Sequence, residues 1–230
     1  MRTPPLLDQL TAATADRLRQ SGVPRSVARG SAVFHEGDRS AAAFLVTTGL
    51  LKAVRGAGGG RVVLLGLRGR GAILGEQGVL DDQPRSASVI AIEDSEVLTI
   101  DGRVFKKILA DHSDLAMALL QLLSRRLRET SGHLANRSAA DPGANVAGRI
   151  IDLIDNEALA RIAVANGAPI AVRLPISQQE LADWVGLSRE GVVKTLRSFR
   201  EAGWIETARK QVIIHDFDAL RSRAALDGDS

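Results

Sequence analysis

The stretch Gly75-Glu76-Gln77-Gly78-Val79-Leu80-Asp81-Asp82-Gln83-Pro84-Arg85-Ser86-Ala87-Ser88 decides how the rest of the chain is read. It sets a carboxylate and a guanidinium nine positions apart, in a short segment that also holds two glycines and a proline. The apolar runs on either side, Val62 to Leu67 and Ala87 to Ile92, have strand character. The segment between them reads as a turn-rich loop leaving a β structure. Such a loop can gather a carboxylate, a guanidinium, a hydroxyl and free backbone N–H groups around one small concavity. A cyclic nucleotide presents the complementary groups. Glu76 would accept a ribose hydroxyl, Arg85 would fork onto phosphate oxygens, and the backbone beside Ser86 would add donors. The same spacing also fits an exposed Glu–Arg pair across a loop, which is worth little. Spacing by itself leaves both open.

Working outward, residues from about Gly30 to Asp101 have a β pattern. Short apolar runs such as Phe44-Leu45-Val46, Val62-Val63-Leu64-Leu65 and Val97-Leu98-Thr99-Ile100 are broken by glycines and charged turns. This predicts a barrel or jelly roll. Gly56-Ala57-Gly58-Gly59-Gly60-Arg61 lacks the lysine-serine/threonine ending of a phosphate loop and lies between two strand patterns, so it reads as a hairpin tip. Residues 6–20 read as one short amphipathic helix. A long helix is expected from Ser113 to Arg137. Within it Leu120, Leu123, Leu127, Thr130 and Leu134 recur at spacings of 3, 4, 3 and 4, a seam that asks for a partner helix. Leu115, Leu119 and Leu122 form a second row for the chain's own barrel, so the preferred reading is a homodimer through this helix. Thr130 on the seam, with Ser131 beside it, is either a polar break or a hydrogen-bonding site for a trapped ligand. Asp141-Pro142-Gly143 interrupts the helical pattern and reads as a linker and hinge.

A new helix, Val146 to Leu159, follows, and residues 161–174 read as a loop with a short strand. In Pro175-Ile176-Ser177-Gln178-Gln179-Glu180-Leu181, Ser177 and Glu180 form a capping box, with Ile176 and Leu181 as its hydrophobic staple. Gly186 suits a left-handed helix end, and Ser188 caps the next helix. Val192, Leu196 and Phe199 mark that helix's buried face. Trp204-Ile205-Glu206 and Gln211-Val212-Ile213-Ile214 then read as a small hairpin. Capped helix, tight turn, helix and hairpin together describe a winged helix-turn-helix. Arg189, Glu190 and Lys194 lie near the start of the second helix on its polar side. Arginine can fork onto guanine and glutamate can accept from cytosine N4, which fits base reading in the major groove. A solvated face held by a Glu190–Lys194 pair is the alternative.

Composition narrows the classes. The chain has 230 residues and no cysteine, so disulfides and thiolate-held metals are excluded. No apolar run is long enough to span a membrane, and Met1-Arg2-Thr3-Pro4-Pro5 has no signal-peptide core. A cytoplasmic protein is expected. There is no tyrosine, which disfavours stacking on single strands. The formal net charge is +3, and the positive charge is local: residues 188–210 hold six bases against three acids. That patch can grip a few phosphates. His35, His112, His133 and His215 are scattered without nucleophile or metal-ligand spacing, so neither an enzyme nor a metal site is expected.

With both motifs placed, the chain resembles the cAMP receptor protein family of bacterial transcription regulators (Crp/Fnr type) from about residue 30 to 217. The implied fold class is α+β: an N-terminal cyclic-nucleotide-binding β jelly roll over residues 1–111, a long dimerisation helix and hinge over 112–143, and a C-terminal winged helix-turn-helix over 144–230. The resemblance identifies Gly75, Glu76, Arg85, Ser86 and Ala87 with the family's phosphate-binding cassette. It implies that Thr130 contacts the adenine amino group and that Ser131 reaches the same base from the partner subunit. Leu187-Ser188-Arg189-Glu190 matches the start of the recognition helix, implying a palindromic TGTGA-type site. Gln178, Gln179, Ser188, Arg189, Glu190, Lys194, Arg209 and Lys210 would touch DNA, the last two at the wing tip. The implied allosteric ligand is cAMP, and the implied partners are double-stranded DNA, a second copy of the chain and RNA polymerase. The same fold with cGMP, or with no ligand, is the alternative. Lys194 stands where an arginine is usual, and Gly191 where a threonine is common.

Overall fold

A computed structural model describes residues 5–57, 61–136, 141–155, 170–173, 176–208 and 211–225. The chain divides into two units, Met1–Glu129 and Thr130–Ser230. The first begins with a 3-10 turn (Leu6–Gln9) and α1 (Ala12–Gln20). It continues through β1 (Val23–Val27), β2 (Ala32–Phe34), β3 (Ala42–Thr48), β4 (Leu51–Ala57), β5 (Arg61–Arg68) and β6 (Ile73–Leu74). Then come α2 (Glu76–Asp81), β7 (Ser88–Ala91), β8 (Ser95–Asp101), α3 (Gly102–Asp111) and α4 (Ser113–Asn136). The eight strands pair antiparallel in two four-stranded sheets, β1-β8-β3-β6 and β2-β7-β4-β5. This is the jelly roll the sequence predicts.

The run Ala43-Phe44-Leu45-Val46 lacks polar alternation because both faces of β3 are covered. Phe44 and Val46 point into the space between the sheets with Val33, Leu51, Val89 and Val97. Ala43 and Leu45 face a second core with Leu18 of α1, Phe105 and Ile108 of α3, and Leu115 and Leu119 of α4. A strand buried on both sides reads as a continuous apolar run. Residues 6–20 are not one helix. Leu10 is extended, and the Thr11 side chain accepts from the Thr14 N–H to cap α1. Leu6 and Leu7 are buried on their own account, which holds the preceding turn apart.

Two faces of α4 separate. Leu115 and Leu119 are buried, and Leu122 packs beside them. Leu123, expected on the partner seam, also packs against this core. The exposed stripe is instead Met117, Leu120 and Leu127, at 56, 62 and 68% exposure.

Asp114 ties the start of α4 to α1. It accepts from the Thr11 N–H at 2.9 Å and from the Thr11 and Thr14 hydroxyls at 3.0 Å each. The Thr11 N–H, then the two hydroxyls and the Leu115 N–H, hold its carboxyl down to about 2, against the opposing effect of burial. The folded value lies below the unfolded one. The stability from these bonds is therefore complete above pH ~4 and lost as pH falls through about 2. Asp114→Asn is expected to lower stability at pH 7 by about 1–2 kcal/mol after allowance for solvent screening. Thermal unfolding should show the gap closing near pH 2; a gap that is the same at both pH values contradicts this.

The second unit holds α5 (Pro142–Asp155), β9 (Ile170–Arg173), α6 (Gln178–Val185), α7 (Arg189–Glu201), β10 (Ile205–Ala208), β11 (Gln211–Ile214) and α8 (Phe217–Ala225). Asp141-Pro142-Gly143, expected as a linker, already starts α5. Asp141 Oδ1 accepts from the Gly143 N–H at 2.8 Å, and proline is well suited to the first helical position. The hairpin gains β9, giving the sheet order β10-β11-β9. Trp204 is not in the strand: its N–H donates to Phe199 O at 2.9 Å and its ring lies 5.3 Å from that of Phe199.

Candidate functional site

β6 delivers the chain to Gly75, whose φ of +69° is left-handed. A Cβ there would be strained and would also collide with Arg85 Nη1, so glycine is required twice over. Glu76 then opens α2. The sequence reads this segment as a loop, but Val79 is 1% exposed and anchors one short helix on the second core. Turn residues hid that burial. The helix ends at Asp82, also left-handed at φ +56°.

Arg85 returns to Gly75. Its Nη1 donates to Gly75 O at 2.7 Å and its Nη2 to Ala42 O at 2.6 Å. The guanidinium carbon lies 4.4 Å from the Phe34 ring centroid and 5.6 Å from that of Phe44. Burial pulls the Arg85 pKa below its ordinary value, and the nearby charges of Glu76 and Asp38 counter it. The Arg85 N–H is committed to Asp38 O at 2.9 Å. Ser86 is exposed and its hydroxyl donates to Gln77 Oε1 at 3.1 Å, while Ala87 is buried.

The exposed Glu–Arg pair does not form. Glu76 is 2% exposed and Arg85 5%. The ion-pair partner of Glu76 is Arg126 of α4, which also donates to Ile73 O at 3.5 Å. Sequence reasoning missed Arg126, though a signal was present. Leu115, Leu119, Leu122 and Arg126 recur at spacings of 4, 3 and 4, so the arginine continues the barrel-facing row.

These residues fit an anionic ligand bearing hydroxyls. Arg85 Nε is buried and has no hydrogen-bond partner among the described residues. A guanidinium has five N–H donors, so the two carbonyls do not exhaust it. Thr130 and Ser131 lie on the helical backbone of α4, but their side chains fall outside the described residues.

In the second unit the helix pair forms as expected. The Ser177 hydroxyl accepts from the Glu180 N–H at 3.1 Å, and Glu180 Oε2 accepts from the Ser177 N–H at 2.8 Å. Gly186 is left-handed at φ +72°. Ser188 caps α7 by accepting from the Gly191 N–H at 3.0 Å. Val192, Thr195, Leu196 and Phe199 are buried, while Arg189, Glu190, Lys194 and Arg197 are exposed. Among the described residues no Glu190–Lys194 pair forms; Arg197 pairs with Glu201 at 2.8 Å. Gln178 and Gln179 are exposed at the start of α6, and Gln179 Nε2 donates to Asp183 Oδ1 at 3.1 Å. Arg209 and Lys210 lie outside the described residues. Among the described residues no His, Asp and Glu cluster could hold a metal, and no helix is long and apolar enough to cross a membrane.

Residues 24–112 match the cyclic nucleotide-binding domain family, and residues 145–223 match the Crp-like helix-turn-helix domain. The chain belongs to the Crp/Fnr-type family of transcription regulators. It is 32% identical over 201 residues to the CRP-like cAMP-activated global transcriptional regulator of Mycobacterium tuberculosis, covering 87% of this chain and 88% of that protein. It is 30% identical over 224 residues to the cyclic AMP receptor protein of Thermus thermophilus, covering 97% and 98%. In structure it is similar to the c-di-GMP responsive global regulator CLP of Xanthomonas campestris. The TM-score is 0.70 at 23% identity, over 89% of this chain and 99% of that one, which speaks to the fold alone. As a Crp/Fnr-type regulator, the chain couples a cyclic nucleotide-binding domain to a DNA-binding helix-turn-helix.

Proposed function

We propose that this regulator is cAMP-responsive and binds, as a dimer, a palindromic TGTGA-type site. The observation that carries the ligand reading is the buried cassette: Glu76 and Arg85 are both withdrawn from water, and Arg85 keeps an unused Nε. Glu76 would accept the ribose 2′-hydroxyl, and Arg85 with Ser86 would hold the cyclic phosphate. Gly75 and Ala87 would supply the close backbone around them. Thr130, and Ser131 of a second copy, would meet the adenine. Residues 1–111 serve as the sensor, 112–143 as the dimerisation segment and 144–230 as the DNA reader, acting in the cytoplasm with RNA polymerase as partner. The exposed Met117, Leu120 and Leu127 stripe supports the dimer, because an apolar row of this spacing is stable only when covered. Arg189, Glu190 and Lys194 would read base edges. Gln178, Gln179, Ser188, Arg209 and Lys210 would hold the backbone.

Fluorescence anisotropy on a TGTGA palindrome and a scrambled duplex, with cAMP, cGMP or neither, tests this reading. cAMP is expected to tighten binding to the palindrome by at least tenfold, and cGMP to do much less. Equal affinity in all three conditions removes the ligand reading; equal affinity for both duplexes removes the site. Sedimentation should report twice the mass of one chain.

A further inference from the structure

The exposed face of α7 carries one large apolar residue outside the base-reading set. Val193 is 43% exposed, the single large apolar side chain so exposed among the described residues of the second unit. It is not a slipped core position. Its neighbours Val192 and Leu196 already fill the buried row, at 0% and 4% exposure. Single exposed apolar residues are ordinary on a surface. This one lies inside a charged face, four residues after Arg189 and three after Glu190, with Lys194 and Arg197 alongside. Residues at those spacings share one side of a helix, with Cβ atoms about 5–6 Å apart. Val193 lies about 6 Å further along the axis than Arg189, close to two base-pair steps of about 3.4 Å. The major-groove edge of DNA offers hydrogen-bond donors, acceptors and one apolar group, the C5 methyl of thymine. A valine cannot use the first two.

We propose that Val193 is a specificity-determining residue that selects a thymine by packing on its C5 methyl. This rests on the reading of α7 as the major-groove helix. It adds a contact that neither a guanidinium nor a carboxylate can make.

Selection from a random duplex pool gives the preferred site of the full-length protein. Each thymine in that site is then replaced singly by deoxyuridine, which removes only the methyl. One replacement is expected to weaken wild-type binding by on the order of fourfold, the value of one buried methyl. Val193→Ser should bind the thymine duplex more weakly and lose its sensitivity to that same replacement. Val193→Thr, which keeps a methyl group, should retain it. Because the side chain is exposed, both variants should unfold at the wild-type temperature. If deoxyuridine is neutral at every position, or costs Val193→Ser as much as wild type, the inference is overturned while base reading by α7 stands. If selection recovers no preferred sequence, the major-groove reading itself fails and this inference fails with it.

Discussion

Arg126→Ala is expected to destabilise the first unit by about 3–5 kcal/mol, the cost of stranding a buried charge when one partner of a pair is removed. Glu76 is 2% exposed, so water cannot replace the lost guanidinium. Arg126 is 21% exposed, which favours the lower end of that range. Differential scanning calorimetry is the measurement. Both tryptophans, Trp184 and Trp204, belong to the second unit, so their fluorescence would miss the event. The transition of the first unit should fall by roughly 10–15 °C. Adding Glu76→Gln should restore part of the loss, because it removes the stranded charge, and the two changes will not add. A single mutant within ~0.5 kcal/mol of wild type would mean that the pair is not structural.

Arg85→Leu carries the other large effect, on ligand affinity. It removes the guanidinium from the cassette. Loss of a desolvated, charge-assisted contact is expected to cost about 2–5 kcal/mol of cyclic nucleotide affinity. The fold will not be untouched. Gly75 O and Ala42 O lose their donors, so about 1–3 kcal/mol of stability should go as well. Arg85→Lys separates the two consequences. Lysine keeps the charge but presents a point donor, so it should recover some affinity without bridging both carbonyls. Titration calorimetry with cAMP and cGMP reads the affinity. Arg85→Leu binding either nucleotide as tightly as wild type removes the cassette assignment.

Much of the second unit was legible because its signals are local. The Ser177–Glu180 box, the Gly186 stop and the Ser188 cap each involve groups within three or four residues, and the helix backbone itself fixes where those groups meet. The β pattern and the double row of leucines on α4 were legible for the same reason, since periodicity reports a face. What the face would meet was not. Leu123 fits a heptad seam by spacing, yet it packs on the barrel. Which side of a helix is covered depends on the crossing element, and no residue within one turn reports that.

The cassette divides along the same line. Residue order alone set the glycine, the carboxylate after it and the guanidinium nine residues on, while the left-handed φ of that glycine came from the folded backbone. Residue order also determined the capped helix pair and the polar start of α7. The tertiary structure alone decided that Glu76 pairs with Arg126, fifty residues away, and that Arg85 turns back to Gly75 and Ala42. It alone decided that both charges are buried, Arg85 against the rings of Phe34 and Phe44 and Glu76 against Arg126 of α4. Short-range hydrogen bonds follow from chain geometry. The choice among distant partners for a charge is made by burial, because only a packed interior makes leaving that charge unpaired costly.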